Sequence, residues 1–185
     1  VTVVWVQPDV QTASRDLLIA IAGQESVDGR PLIAGLYSSQ VRAGVQQILL
    51  LFGILLAIAI AGRRRDRSGA LAIGILTALG YALFESVRFL TPDLQTGLST
   101  QSVLPIVREL FLMGGHIGSG MILARSWVDG RFVRYFAIAV LLNAAIVYES
   151  VLQLDGWSTY SALAYLAAVA TLAFFWGLSI GTARD

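Results

Sequence analysis

The sequence predicts an all-α fold, a polytopic membrane bundle of about five transmembrane helices with its N-terminal arm outside and its C-terminus in the cytoplasm. Three observations predict it. Of 185 residues, 56% are apolar and 14% charged, against roughly 25% charged in soluble domains, and the mean hydropathy is +0.72. The apolar residues gather into five stretches near the ~20 residues that cross a bilayer as a helix. The basic residues concentrate on alternate connections, the pattern that orients multi-pass proteins with arginine-rich loops inside.

Residues 1–43 mix polar and apolar side chains, and their longest apolar run, Leu17–Gly23, is too short to span. They read as an extracytoplasmic arm with a short interfacial helix near Leu17–Ala22 and two apolar patches, VTVVWV and PLIAGLY. The bundle occupies 44–185. Its first span, about 44–62, stops at Arg63-Arg64-Arg65-Asp66-Arg67, and four arginines in five residues place that turn in the cytoplasm. The second span, about 69–90, runs outward to TPDLQTGLSTQS, a loop with no basic residue. The third, about 103–124, returns to Arg125, Arg131 and Arg134; the fourth, about 133–154, leads out to DGWST; the fifth, about 160–180, ends inside. Every short loop obeys one topology, that of a multi-pass inner-membrane protein.

Composition also excludes chemistry. The chain has no cysteine, so it has no disulfides, thiolate metal sites or thiol nucleophiles. Its net charge of +1 supplies no basic field for nucleic acid. Its partners are the lipid bilayer and other membrane proteins. No Walker loop, dinucleotide fingerprint, nucleophile elbow or His-Glu-x-x-His pair is present.

Polar side chains inside the spans are the informative positions, since a charge at the bilayer centre costs roughly 2.5–3.5 kcal/mol on insertion scales. Gln46 and Gln47 fall in the first span, Glu85 and Arg88 in the second, and Arg108, Glu109 and the single histidine, His116, in the third. Asn143 and Glu149 fall in the fourth. A purely structural reading pairs Glu85 with Arg108 and Glu109 with Arg88, lets the amides bridge helices, and uses the glycines around His116 for close packing. If Arg88 and Arg108 mark one interface, Glu85 and His116 lie about 7 Å apart in depth at ~1.5 Å per residue.

Two of these clusters form a pattern. Tyr81-Ala-Leu-Phe-Glu85 follows Gly80, and His116-Ile-Gly-Ser-Gly120 follows Arg108 by eight residues on the next span. The arrangement over about 44–125 resembles the PrsW-type branch of the intramembrane metalloprotease superfamily, which also holds the CAAX-prenyl proteases. The resemblance implies an acidic pair one span earlier, where this chain has Gln46-Gln47 and, at the family's lysine position, Leu50. It also implies a final histidine, for which Asn143 is the nearest counterpart, with Val147 at the following acidic position.

Three functions stay open. One is a non-catalytic membrane subunit or partner-binding module on this scaffold, because an amide cannot act as a general base. The second is an active intramembrane metallopeptidase with a reduced site. There the resemblance makes Glu85 base or zinc ligand and His116 a ligand, with Glu109 or Glu149 as substitutes. The third is a subunit of an energy-transducing complex in which His116 ligates a tetrapyrrole and the flanking glycines leave room for its ring.

Overall fold

A computed structural model describes residues 12–13, 15–21, 23–24, 27, 29–61, 67–96 and 103–182, with only the backbone at Pro31, 88–96 and Leu154. Among these residues there is no strand. Residues 15–21 are helical, as the apolar run at Leu17 suggested. The bundle is built from α1 (Pro31–Ala61), α2 (Arg67–Thr96), α3 (Val103–Asp129), α4 (Phe132–Val147), α5 (Glu149–Leu154) and α6 (Thr159–Thr182). Five segments are long and apolar enough to cross a membrane: Leu32–Ala61, Arg67–Val87, Val103–Asp129, Phe132–Gln153 and Thr159–Thr182. The chain is a multi-pass membrane protein. The apolar patch at 1–6, the arginines at 63–65 and the tail at 183–185 lie outside the described residues.

Four elements differ from expectation, and one of them, the third helix, runs to Asp129, past the expected end at 124. The first helix begins at Pro31, so residues 31–43, assigned to the arm, continue the first span as helix. Proline is well suited to a first helical position because its missing N–H has no partner there anyway. The second helix runs on to Thr96, past the expected end at 90. The fourth span is divided at Tyr148, but Tyr148 keeps right-handed helical angles (φ −63°, ψ −19°) and its N–H donates to Ala144 O at 2.9 Å. The division is therefore a slight irregularity within one span.

Without water to drive helices together, packing in lipid depends on small residues that let backbones approach. Helix α3 is the hub. It packs most extensively on α6 and α2, and then on α4; α1 lies against α4 and α2. Its stretch from Gly118 to Ser126 is buried without interruption. A Cβ placed on Gly74 of α2 would stand 2.5 Å from Gly120 O, and one on Gly120 would stand 2.5 Å from Gly74 O. On the opposite side of α3, a Cβ on Gly118 would fall onto the Ala173 carbonyl of α6. Leu50, Ile54, Ile122, Leu123, Ile146 and Leu166 fill the core between these crossings. Phe52, Ile60, Leu76 and Val133 point outward, as lipid-facing side chains do.

At the α3–α4 connection, Gly130 adopts φ +67°, the left-handed conformation that closes helices. Arg125 is buried there and pairs with Asp129 at 2.8 Å, which also accepts the Tyr135 hydroxyl at 2.7 Å. Tyr135→Phe is expected to lower stability by about 1 kcal/mol, the usual net worth of such a bond, read as a lower thermal unfolding midpoint in detergent with Tyr165→Phe as a comparison.

Candidate functional site

The buried face of α1 repeats at helical spacing through Ser39, Ala43, Gln46, Leu50 and Ile54. It carries Gln46 into the bundle interior, where Gln46 is 2% exposed. From there a hydrogen-bonded chain crosses four helices. Asn143 of α4 donates through Nδ2 to Gln46 Oε1 at 2.8 Å, and Gln46 Nε2 donates to Glu85 Oε1 of α2 at 3.1 Å. Glu85 Oε2 lies 3.1 Å from His116 Nε2 of α3. A carboxylate only accepts, so the proton between them belongs on Nε2. Tyr81 packs edge-on against the imidazole with ring centroids 5.3 Å apart. Arg42 of α1 reaches toward Glu85 Oε1 at 3.7 Å, an ion pair too long to be a hydrogen bond.

A second network adjoins the first. Arg108 donates through Nε and Nη2 to Glu149 Oε2 at 3.1 and 3.0 Å, and through Nη1 to Glu109 Oε1 at 3.0 Å. Glu109 Oε2 accepts from Ser86 Oγ at 3.0 Å, and Glu149 Oε1 accepts from Gln153 Nε2. Glu109 and Glu149 are both buried. Two buried carboxylates on different helices are thus held by one guanidinium, whose planar fork suits such bridging.

Between the two networks lies a cavity of about 180 Å³. Arg42, Gln46, Glu85, Arg108, His116 and Ser150 line it on the polar side, and Leu112, Ile146 and Val147 on the apolar side.

Several expectations change here. Glu85 and His116, separated by depth counting, are in contact, because Arg88 and Arg108 do not mark one level. Measured from the ends of their helices, Thr96 and Val103, the two residues differ in depth by only about 3 Å. The expected Glu85–Arg108 pair gives way to Arg108 with Glu109 and Glu149, while Glu85 is held by His116, Gln46 and Arg42. The Arg88 side chain, expected to meet Glu109, lies outside the described residues. Gln47 is wholly buried with neither amide atom hydrogen-bonded, and it does not join the chain that Gln46 makes.

Sequence reasoning missed Arg42 and Ser86. Arg42 stands four residues before Gln46, on the same helical face, and is legible once the helix is started at Pro31. Ser86 gave no signal beyond its place next to Glu85.

The donor set does not fit zinc. A catalytic zinc takes three protein ligands as a rule. Among the described residues no three His, Asp or Glu side chains come together for a metal. Glu85 and His116 supply two, and Glu109 and Glu149 are turned to Arg108. Three of the four glycines near His116 leave no room for a tetrapyrrole either, while Gly114 faces open space. Gly115 is closed by Ile146, Gly118 by the α6 backbone and Gly120 by the α2 backbone. The adjoining cavity is smaller than the ~300–1,000 Å³ of ordinary small-molecule pockets. Compared with known protein families, with curated proteins and with solved structures, the chain matches none.

Proposed function

We propose that the chain is a non-catalytic integral membrane subunit, a partner-binding module on a PrsW-like intramembrane protease scaffold. One observation carries the reading. The residues at the four motif positions, Gln46, Glu85, His116 and Asn143, meet in one hydrogen-bonded chain, and the two outer members are amides. The amides convert what would be a cluster of acids and histidines into a chain of hydrogen bonds that leaves only its outward atoms, Asn143 Oδ1 and His116 Nδ1, without a partner. Each donor there meets an acceptor, which suits a rigid core. A metal site instead needs carboxylates and imidazoles turned toward a common point. PrsW-like kinship thus explains the convergence, and the substitutions explain why two metal donors remain.

The test is to purify the full chain in mild detergent and measure its metal content, its peptidase activity and its companions. The reading requires less than stoichiometric zinc, no activity that Glu85→Gln abolishes, and a membrane protein present in fixed ratio. Stoichiometric zinc with Glu85-dependent hydrolysis would overturn it.

The scaffold itself makes a sharper prediction. Gln46→Glu adds a third metal donor beside Glu85 and His116. The variant is expected to gain a zinc site, seen as a rise of at least ten-fold in zinc affinity and as stabilisation by zinc. Without metal it is expected to be less stable than wild type, because a carboxylate placed at 3.1 Å from Glu85 repels it. A variant that neither binds zinc nor loses stability would show that these positions do not share the geometry of a metal site.

A further inference from the structure

The cavity beside Glu85 has unused hydrogen-bonding valences, and they define what fits. Gln46 uses its Nε2 toward Glu85 and its Oε1 toward Asn143, and Arg108 directs Nε, Nη1 and Nη2 to two carboxylates, so any N–H these two side chains have left can only donate. Ser150 Oγ donates to Val147 O at 2.9 Å and keeps acceptor capacity. Two lining groups have a buried nitrogen without any hydrogen-bond partner: Arg42 Nε and His116 Nδ1. The His116 side chain is 4% exposed. Buried polar atoms without partners are rare and call for an occupant. Arg42 can only donate, so its partner must accept. With a proton on Nε2 facing Glu85, His116 Nδ1 accepts in the neutral ring and donates in the charged one, so a partner that serves both forms must itself donate and accept.

Charge narrows the choice. The Arg108 guanidinium is matched by two carboxylates, and the Arg42 charge already faces Glu85. An anion at Arg42 would sit against the Glu85 carboxylate, and a cation would sit against Arg42. A neutral group that both donates and accepts meets neither penalty, and a hydroxyl does both. Leu112, Ile146 and Val147 on the other wall suit a short hydrocarbon backbone.

We infer that this cavity is a binding site for a neutral polyhydroxyl group of glycerol size. The same chemistry comes from a free polyol or from the glycerol head of a neutral lipid, and the experiment separates them.

The full chain is purified in a zwitterionic detergent, because sugar-headed detergents carry competing hydroxyls. Binding of a radiolabelled monoacylglycerol is then measured, with free glycerol, the fatty acid of the same chain and its methyl ester as competitors. Saturable binding that the ester does not displace supports the site. Displacement by glycerol assigns it to free polyols; displacement by unlabelled monoacylglycerol alone assigns it to the lipid head. Arg42→Gln is expected to weaken binding at least ten-fold. Val147→Phe, which fills the cavity from its apolar wall and leaves the hydrogen-bonded chain untouched, is expected to abolish binding in a folded protein. Equal competition by the fatty acid or the ester, or unchanged binding in Val147→Phe, would overturn the inference.

Discussion

Arg108→Met is expected to destabilise the protein by about 3 kcal/mol, the low end of the range for breaking a buried ion pair from one side. The low end applies because the Arg108 side chain is 30% exposed while its partners, Glu109 and Glu149, are at 5% and 1%. The loss comes less from the missing attraction than from two carboxylates left in a membrane interior with hydrogen bonds from Ser86 and Gln153. That account predicts a rescue. Arg108→Met combined with Glu109→Gln and Glu149→Gln removes the whole charged cluster, and it should recover most of the stability that the single change loses. Arg108→Lys should fall between, since an ammonium cannot fork to two carboxylates on different helices. Unfolding midpoints in one detergent, measured for the four proteins, decide it. If the triple change is as damaging as the single one, the cluster does not act through charge compensation.

The membrane fold was legible because its signal is collective. Five apolar stretches and the alternation of arginines over the loops survive an error at any single residue. Boundaries were less legible where polar residues continue a helix. Ser38, Ser39, Gln40 and Arg42 read as an arm, yet they lie on α1, whose buried face passes through Ser39 and Ala43 before it reaches Gln46. Hydropathy marks where lipid ends, and a helix carried on by packing against its neighbours extends beyond that mark.

The residues of the site were legible and their partners were not. Gln46, Glu85, His116 and Asn143 stood out as polar groups where polarity is costly, and they meet. Pairing depended on helix lengths: the extension of α2 to Thr96 lowers Glu85 to the level of His116. Arg108 read as an interface marker and a partner for Glu85. The placement of Glu149 at the start of α5 turns it into an interhelical clamp instead. A one-dimensional depth count cannot anticipate a contact that a fourth helix supplies.

The glycines of α3 allow one chemical change to be tested in opposite directions on one helix. Gly118→Ala is expected to lower stability by about 2–3 kcal/mol, the upper part of the usual range for overpacking, whereas Gly114→Ala is expected to raise it by about 0.5–1 kcal/mol through helix propensity. At Gly118 the new methyl would fall onto the Ala173 carbonyl and the Phe174 amide nitrogen. Those are backbone atoms, so no rotamer change can make way and α3 must move off α6. Reciprocally, a Cβ on Gly177 would meet Gly118 O, so the two helices touch through both backbones at this point. At Gly114 nothing lies within 4 Å of the added carbon. Both variants gain the same propensity, so the difference in their unfolding midpoints isolates the cost of separating two helices in a medium that supplies no hydrophobic drive to bring them back. Equal midpoints for the two variants would mean that α3 and α6 do not cross with backbones in contact.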